Sequence, residues 1–229
     1  MRAAVERILE QYPHFEWRRL AIRGERLELD SSRWWDEAGN ETTFLHVFEI
    51  GDDGRITYDG RFDDDDFEGA YCELERRYCA GEGAAFAEGI AVTIDYAIAL
   101  NRGDFDTLFG ELTTPEMRVE NRSSSVFPDR SAAELRASVE ELGNMVASVR
   151  DWASAMCWLS PGCVVARQQR EAVGLDGERY EWARLLGAEY RDGRVASLRD
   201  FNVEGEEEAF AYAEERVRAA ADAHPRPQS

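Results

Sequence analysis

The chain repeats part of itself, and this constrains its fold more than any other feature. Asp53-Gly54-Arg55-Ile56 laid over Asp192-Gly193-Arg194-Val195 opens a gap-free alignment through the following helix. Phe62 falls on Phe201, Glu68 on Glu207, Ala70 on Ala209, Tyr71 on Phe210, Glu75 on Glu214 and Arg77 on Arg216. A gap of about four residues upstream brings Trp17 onto Trp152, and before it AAVERIL (3–9) lies over RASVEEL (136–142). Residues 1–80 therefore read as a copy of 135–220, one supersecondary unit used twice.

The two copies predict the same elements. Alternating or apolar runs at 15–22, 26–34, 42–50 and 55–62 are separated by Arg23-Gly24-Glu25, Gly39-Asn40 and Asp52-Asp53-Gly54, which are hairpin turn residues. Runs at 147–158, 163–173, 179–190 and 194–202 are separated by Ser160-Pro161-Gly162, Asp176-Gly177 and Asp192-Gly193. Each set predicts a four-strand antiparallel meander. An acidic stretch and an amphipathic helix follow both, 63–66 before 67–79 and 204–208 before 206–221. These carboxylates lack the spacing of a calcium loop and instead complement the dipole of a first helical turn.

Material between the copies has no counterpart in the first. Apolar residues at helical spacing (Phe86, Ile90, Ile94, Ala97, Ile98) predict a helix over 84–101, followed by a short one at 104–111. A strand is expected at 115–122 with Met117 and Val119 on one face, then a helix at 132–144 capped by Ser131 with Glu134 three residues on. The second unit runs helix, helix, strand, helix, four strands and a closing helix. The first starts at its third helix. The expected domains are 1–80 and 84–222, with a disordered tail at 223–229.

Composition narrows the chemistry. There are 27 basic against 47 acidic residues, a net charge of -20, and every basic residue is arginine. No P-loop lysine, Schiff-base lysine or lysine general base is available. So negative a field repels phosphate backbones, and no nucleic-acid partner is expected. Cys72, Cys79, Cys157 and Cys163 form no C-x-x-C pair and read as free thiols of a cytoplasmic protein. The most apolar stretch, 89–100, is broken by Asp95 and too short for a bilayer, so no membrane partner is expected. His14, His46 and His224 supply no set of metal ligands; neither metal nor cofactor is expected. Arginine in place of lysine, with abundant Ala and Gly, fits a GC-rich bacterial genome.

The segments ALNRGDFDTLFGELTTPEMRVENR (99–122) and RYEWARLLGAEYRDGRVASLRDFNV (179–203) complete the pattern. In this order of elements the chain resembles the nuclear transport factor 2-like fold, shared with SnoaL-like polyketide cyclases and ketosteroid isomerases. The resemblance covers 84–204 in full and 1–62 as the latter half of a second copy. It implies an α+β fold: a cone-shaped half-barrel of curved antiparallel sheet with covering helices, in one full and one partial copy. The partial copy's bare sheet face is expected either to pack on the complete unit as a pseudo-dimer, or to mark the chain as part of a longer polypeptide.

Proteins of this kind use an apolar cavity with two or three ionisable groups, so strand parity nominates the ligand contacts. Cys163, Val165, Arg167, Gln169 and Glu171 share one face of their strand; Tyr180, Trp182, Arg184 and Leu186 share one of theirs. Asp95 and Tyr96 interrupt the apolar helix, where a buried carboxylate would have a raised pKa. The candidate ligand-binding residues are Asp95, Tyr96, Asn121, Arg167, Glu171, Trp182 and Arg184; no catalytic residue is assigned. The alternative account of the arginines is cross-strand ion pairs on the outer or dimer-facing side. Trp152, Met156 and Trp158 alternate as core or interface residues. The reading that follows is a non-catalytic small-molecule-binding or regulatory and dimerisation module for an apolar or aromatic molecule. The alternative is a cofactor-independent cyclase, isomerase or epoxide hydrolase. A closed cavity of roughly 300 Å³ or more with at least two desolvated ionisable groups favours the enzyme; a collapsed one filled by Met117, Trp152 or Trp182 favours the module.

Overall fold

A computed structural model describes residues 11–223. The chain divides into two compact units, Met1–Ala84 and Ala85–Ser229. The helix expected at 3–9 and the tail from 224 lie outside the described residues.

In the first unit β1 (His14–Arg23), β2 (Leu27–Trp35), β3 (Glu41–Ile50) and β4 (Ile56–Asp63) form one sheet in the order β1-β2-β3-β4, closed by α1 (Phe67–Ala80). Asp66 caps α1, accepting from the Gly69 N–H at 3.0 Å. Leu27, Leu29, Leu45 and Val47 of the sheet and Phe67, Ala70, Tyr71 and Leu74 of α1 are buried. The same layer holds a buried charge. Arg23 Nε donates to Glu75 Oε1 at 2.8 Å and its Nη2 donates to the Tyr71 hydroxyl at 3.0 Å. On the opposite sheet face Phe15 stacks on Trp34 at 5.3 Å, and Trp17 on His46 and Phe48 at 5.6 Å.

A 3-10 turn (Ala84–Phe86) spans the boundary, and the first helix of the second unit is α2 (Ala87–Arg102). There follow α3 (Phe105–Gly110), β5 (Thr113–Asn121), β6 (Arg130–Ser131), α4 (Ala132–Met145), β7 (Val146–Ser160), β8 (Cys163–Gly174), β9 (Arg179–Arg191), β10 (Arg194–Phe201) and α5 (Glu206–Ala223). The sheet order is β6-β5-β10-β9-β8-β7; β5 and β10 are parallel and every other pair antiparallel. One sheet face packs on α5 through Cys163, Val165, Leu185, Phe201, Ala209 and Ala213. The other meets α2 and α4 through Val92, Met117, Val119, Leu135 and Val195. A Cβ at Gly89 would stand 2.5 Å from the Trp158 ring, so glycine there lets α2 settle on the sheet. The helix is longer than its apolar run: Ala84–Arg102 is long and apolar enough to cross a membrane by length and composition alone. Here its apolar residues Val92, Ala97, Ala99 and Leu100 are buried in the unit.

Two turns that look alike in sequence differ in length. Asp192-Gly193 is a two-residue turn between Arg191 and Arg194, with φ of 52° and 67°. Asp176-Gly177 belongs to a three-residue loop, closed by the Gly174 N–H donating to the Glu178 carbonyl at 2.8 Å, with Gly177 at φ 86°. The Trp17–Trp152 alignment is corrected by the ladders. Trp17 opposes Ser32 and Trp152 opposes Gln169; the β1 bulge near Leu20 and the β7 bulge near Ser154 sit at different places, offsetting the first strands.

Candidate functional site

A cavity of about 390 Å³ lies in the second unit between its sheet, α2 and α4. Tyr96, Ala97 and Leu100 of α2 and Leu135, Val139 and Leu142 of α4 supply one wall. The sheet supplies Val164 and Ala166 from β8, Leu186, Ala188 and Tyr190 from β9, and Val195 and Leu198 from β10. At this end the Tyr190 hydroxyl shares a 2.7 Å hydrogen bond with Thr93 Oγ1, tying α2 to the sheet. Burial pushes the Tyr190 phenol up to about 12.

A polar band crosses the middle of these walls. Asp151, buried on β7, accepts hydrogen bonds from Gln168 Nε2 and Arg170 Nε. Its backbone is held from α2, where the Asn101 side chain accepts from the Asp151 N–H at 2.7 Å and donates to its carbonyl at 2.9 Å. Arg184 Nε donates to Gln168 Oε1 at 2.6 Å and Nη1 donates to Asp200 Oδ2 at 3.3 Å. Arg130 Nη2 donates to the same Asp200 oxygen at 3.5 Å. Burial pulls Arg184 below the ordinary guanidinium range; Asp200 opposes this and Arg170 adds to it. The Tyr96 phenol is raised above its ordinary range by burial and by the Asp151 charge. Among the described residues, no hydrogen-bond partner is found for the Tyr96 hydroxyl or for Arg184 Nη2.

Of the seven nominated residues, Tyr96, Trp182 and Arg184 line the cavity. Asp95 is exposed, because one residue of helix turns it about 100° from its neighbour. Asn121 holds the following loop: its Nδ2 donates to Ser125 O at 3.1 Å and to Phe127 O, and its Oδ1 accepts from Ser123 Oγ at 2.7 Å. Arg167 and Glu171 take the other sheet face. Arg167 is exposed, and Glu171 lies 4.0 Å from Arg150. The cause is the three-residue loop. A two-residue turn at Asp176-Gly177 would set Gln169 against Arg184, whereas the observed ladder sets Gln168 there and turns every odd residue of β8 away. Asp151, Gln168, Arg170 and Asp200 were not nominated; once Arg184 is placed, the ladder gives Gln168 and Arg170 directly.

A second constellation lies in the first unit. His46 Nε2 meets Ser32 Oγ at 3.1 Å and His46 Nδ1 meets Asp59 Oδ1 at 3.1 Å. The order resembles a nucleophile, base and orienting acid, but Ser32 is completely buried and Trp17 stacks on the imidazole. No acyl carbon reaches that hydroxyl, so the chain serves to hold His46 on the sheet. Among the described residues no group of three or more His, Cys, Asp or Glu is placed to hold a metal.

No family model matches the chain, and no curated protein matches it. Among solved structures it is similar to PrhC from Penicillium brasilianum, at 17% identity and a TM-score of 0.46 over 59% of this chain and 91% of that one. An LEH-like epoxide hydrolase of M. tuberculosis gives 17% identity and 0.43 over 59% and 98%. A Delta 5-3-ketosteroid isomerase from Mycobacterium sp. gives 18% and 0.42 over 48% and 89%. Likeness at this level says nothing of activity. By its own order of elements and strands, the second unit is an α+β fold, one six-stranded sheet with α2 and α4 on one face and α5 on the other.

Proposed function

We propose that the second unit is a receptor for a small apolar molecule bearing an oxygen acceptor, in a soluble cytoplasmic protein. One observation carries this reading: in a largely apolar cavity lined by both residues, the Tyr96 hydroxyl and Arg184 Nη2 have no hydrogen-bond partner among the described residues. A ligand carbonyl, phenolate or carboxylate between them would accept from both donors in a cavity that is otherwise mainly apolar.

Catalysis is the second reading, favoured by the size of the cavity and by its desolvated ionisable groups. The same donors would stabilise an enolate or alkoxide, as an isomerase, cyclase or epoxide hydrolase requires. Against it, both carboxylates are engaged: Asp151 by Arg170 and Gln168, Asp200 by Arg184 and Arg130. Neither stands free as a general base.

The test is a thermal-shift screen of aromatic ketones, phenols and acids against wild type, Tyr96→Phe and Arg184→Met. Each substitution is expected to weaken a bound ligand about tenfold, the worth of roughly one hydrogen bond. Binding indifferent to both substitutions removes this site. Turnover of a bound ketone or epoxide would establish the enzyme instead.

A further inference from the structure

The β8–β9 wall of the cavity does not end at its polar band. Along one face of the β8–β9 hairpin the ladder sets Gln168 against Arg184, then Arg170 against Trp182, then Ala172 against Tyr180. Beyond lies Leu175, in the loop. A groove follows this strip, with Leu142, Met145 and Val146 of the α4–β7 junction as its other wall. Leu142 and Trp182 line both the cavity and the groove, so the two share a wall. Its apolar side chains stand in water, Leu175 at 73% and Met145 at 62% exposure. In the other direction β9 presents Leu186, Ala188 and Tyr190 to the cavity. The order along the walls is apolar, polar, apolar.

Resting on the receptor reading and narrowing it, we infer that the occupant carries its oxygen function in its interior, between two apolar arms. The inner arm fills the space at Leu186 and Tyr190, the oxygen meets Tyr96 and Arg184, and the outer arm lies in the groove between Leu175 and Met145. An internal ketone or ester has this form. A terminal carboxylate would satisfy the band and leave the groove empty. The groove is assigned to the ligand because it continues the cavity wall without a break.

The test is calorimetric titration of the full chain with 1-phenylalkan-1-ones whose alkyl arm grows from two to ten carbons. Complete burial of a methylene is worth about fourfold in affinity, so an open groove should return about twofold per carbon until it is filled. Leu175→Glu, with Met145→Gln as a second variant, is expected to lower the ratio of long-arm to short-arm affinity at least tenfold. Equal affinity for short and long ketones, still lost in Tyr96→Phe, overturns this inference and leaves the receptor reading standing. Tighter binding of phenylalkanoic acids than of ketones of equal carbon count also overturns it. So does a change of oligomeric state by light scattering in Leu175→Glu with an unchanged affinity ratio, which would make the groove a protein interface. Failure of every ketone and acid to bind removes the receptor reading, and the inference with it.

Discussion

In the first unit Asp30 opposes His46 across β2 and β3; at the same place in the second, Ala166 opposes Leu186. The correspondence is fixed by a shared bulge. Thr57 is passed over between the pairs Ile50–Ile56 and Glu49–Tyr58, and Ala196 between Tyr190–Val195 and Glu189–Ser197. From it, Ser32 and Phe44 stand where Gln168 and Arg184 stand. In the second unit this face looks at α2 and α4 across a cavity. In the first, the rings of Trp17, His46 and Phe48 cover it by stacking on one another. Buried charge moves with the cover. The first unit places Arg23 and Glu75 between sheet and closing helix, where the second has Cys163, Val165 and Leu185 against α5. The meander is thus a neutral support, and what lies over each face decides whether charge packs solidly there or lines a space.

Removing one partner of the solid pair should give the largest effect. Glu75→Ala strands the Arg23 guanidinium in packed apolar surroundings, a loss of about 3–5 kcal/mol. The double replacement Arg23→Met, Glu75→Leu should be near neutral, since it removes both charges at similar volume. Asp151→Ala should cost less, about 1–3 kcal/mol, because Arg170 is left facing a cavity that water can enter. Urea unfolding of the full chain measures all three. Equal losses for Glu75→Ala and Asp151→Ala would break the distinction between a packed and a cavity-lining charge.

The next effect depends on pH. Burial raises the Asp30 carboxyl to about 6 from an ordinary 3.8; the Trp17 side chain lowers it, Glu28 raises it, and Arg19 and His46 lower it. The folded state therefore binds a proton that the unfolded state has already released between these values. Stability from this group is complete below about pH 4 and is lost as pH rises through 6, by about 2 kcal/mol after allowance for solvent. Asp30→Asn should match wild type at pH 4 and exceed it by about that amount at pH 8, in urea midpoints taken across the range. A difference that does not change with pH would show that the aromatic cover leaves Asp30 in water.

These contrasts also explain how much could be read in advance. Strands and helices were legible because turn residues and apolar period punctuate them, and Ser131 with Glu134 announced the start of α4. The site was half legible. Tyr96, Trp182 and Arg184 sit on elements whose cavity side follows from their own pattern. Their partners on β8 do not, since Asp-Gly signals a hairpin without saying whether its loop has two residues or three. At Asp192-Gly193 it has two, at Asp176-Gly177 three, and the extra residue exchanged Arg167 and Glu171 for Gln168 and Arg170. Asp151 and Asp200 join the band only through ladder partners on other strands, a relation with no local signature.

The smallest effect bears on the cover itself. Leu135, Val139 and Leu142 reach the cavity from α4, an element without a counterpart among the described residues of the first unit. The helix starts in a capping box: Ser131 Oγ accepts from the Glu134 N–H at 3.3 Å, and Glu134 Oε2 accepts from the Ser131 N–H at 2.8 Å. Ser131→Ala removes the hydroxyl arm and should cost about 1 kcal/mol. The hydroxyl arm of the cap acts on the first turn of the helix, so the loss should appear as easier opening of α4. Amide exchange across 132–145 is expected to rise about fivefold, the equivalent of that free energy, while β1 to β4 exchange as before. A bound ketone should leave faster from the variant, because the wall that retains it opens more often. If exchange in α4 rises but ligand release does not, the helix is not the element that closes the cavity, and the contrast between a covered and a self-covered sheet loses its cause.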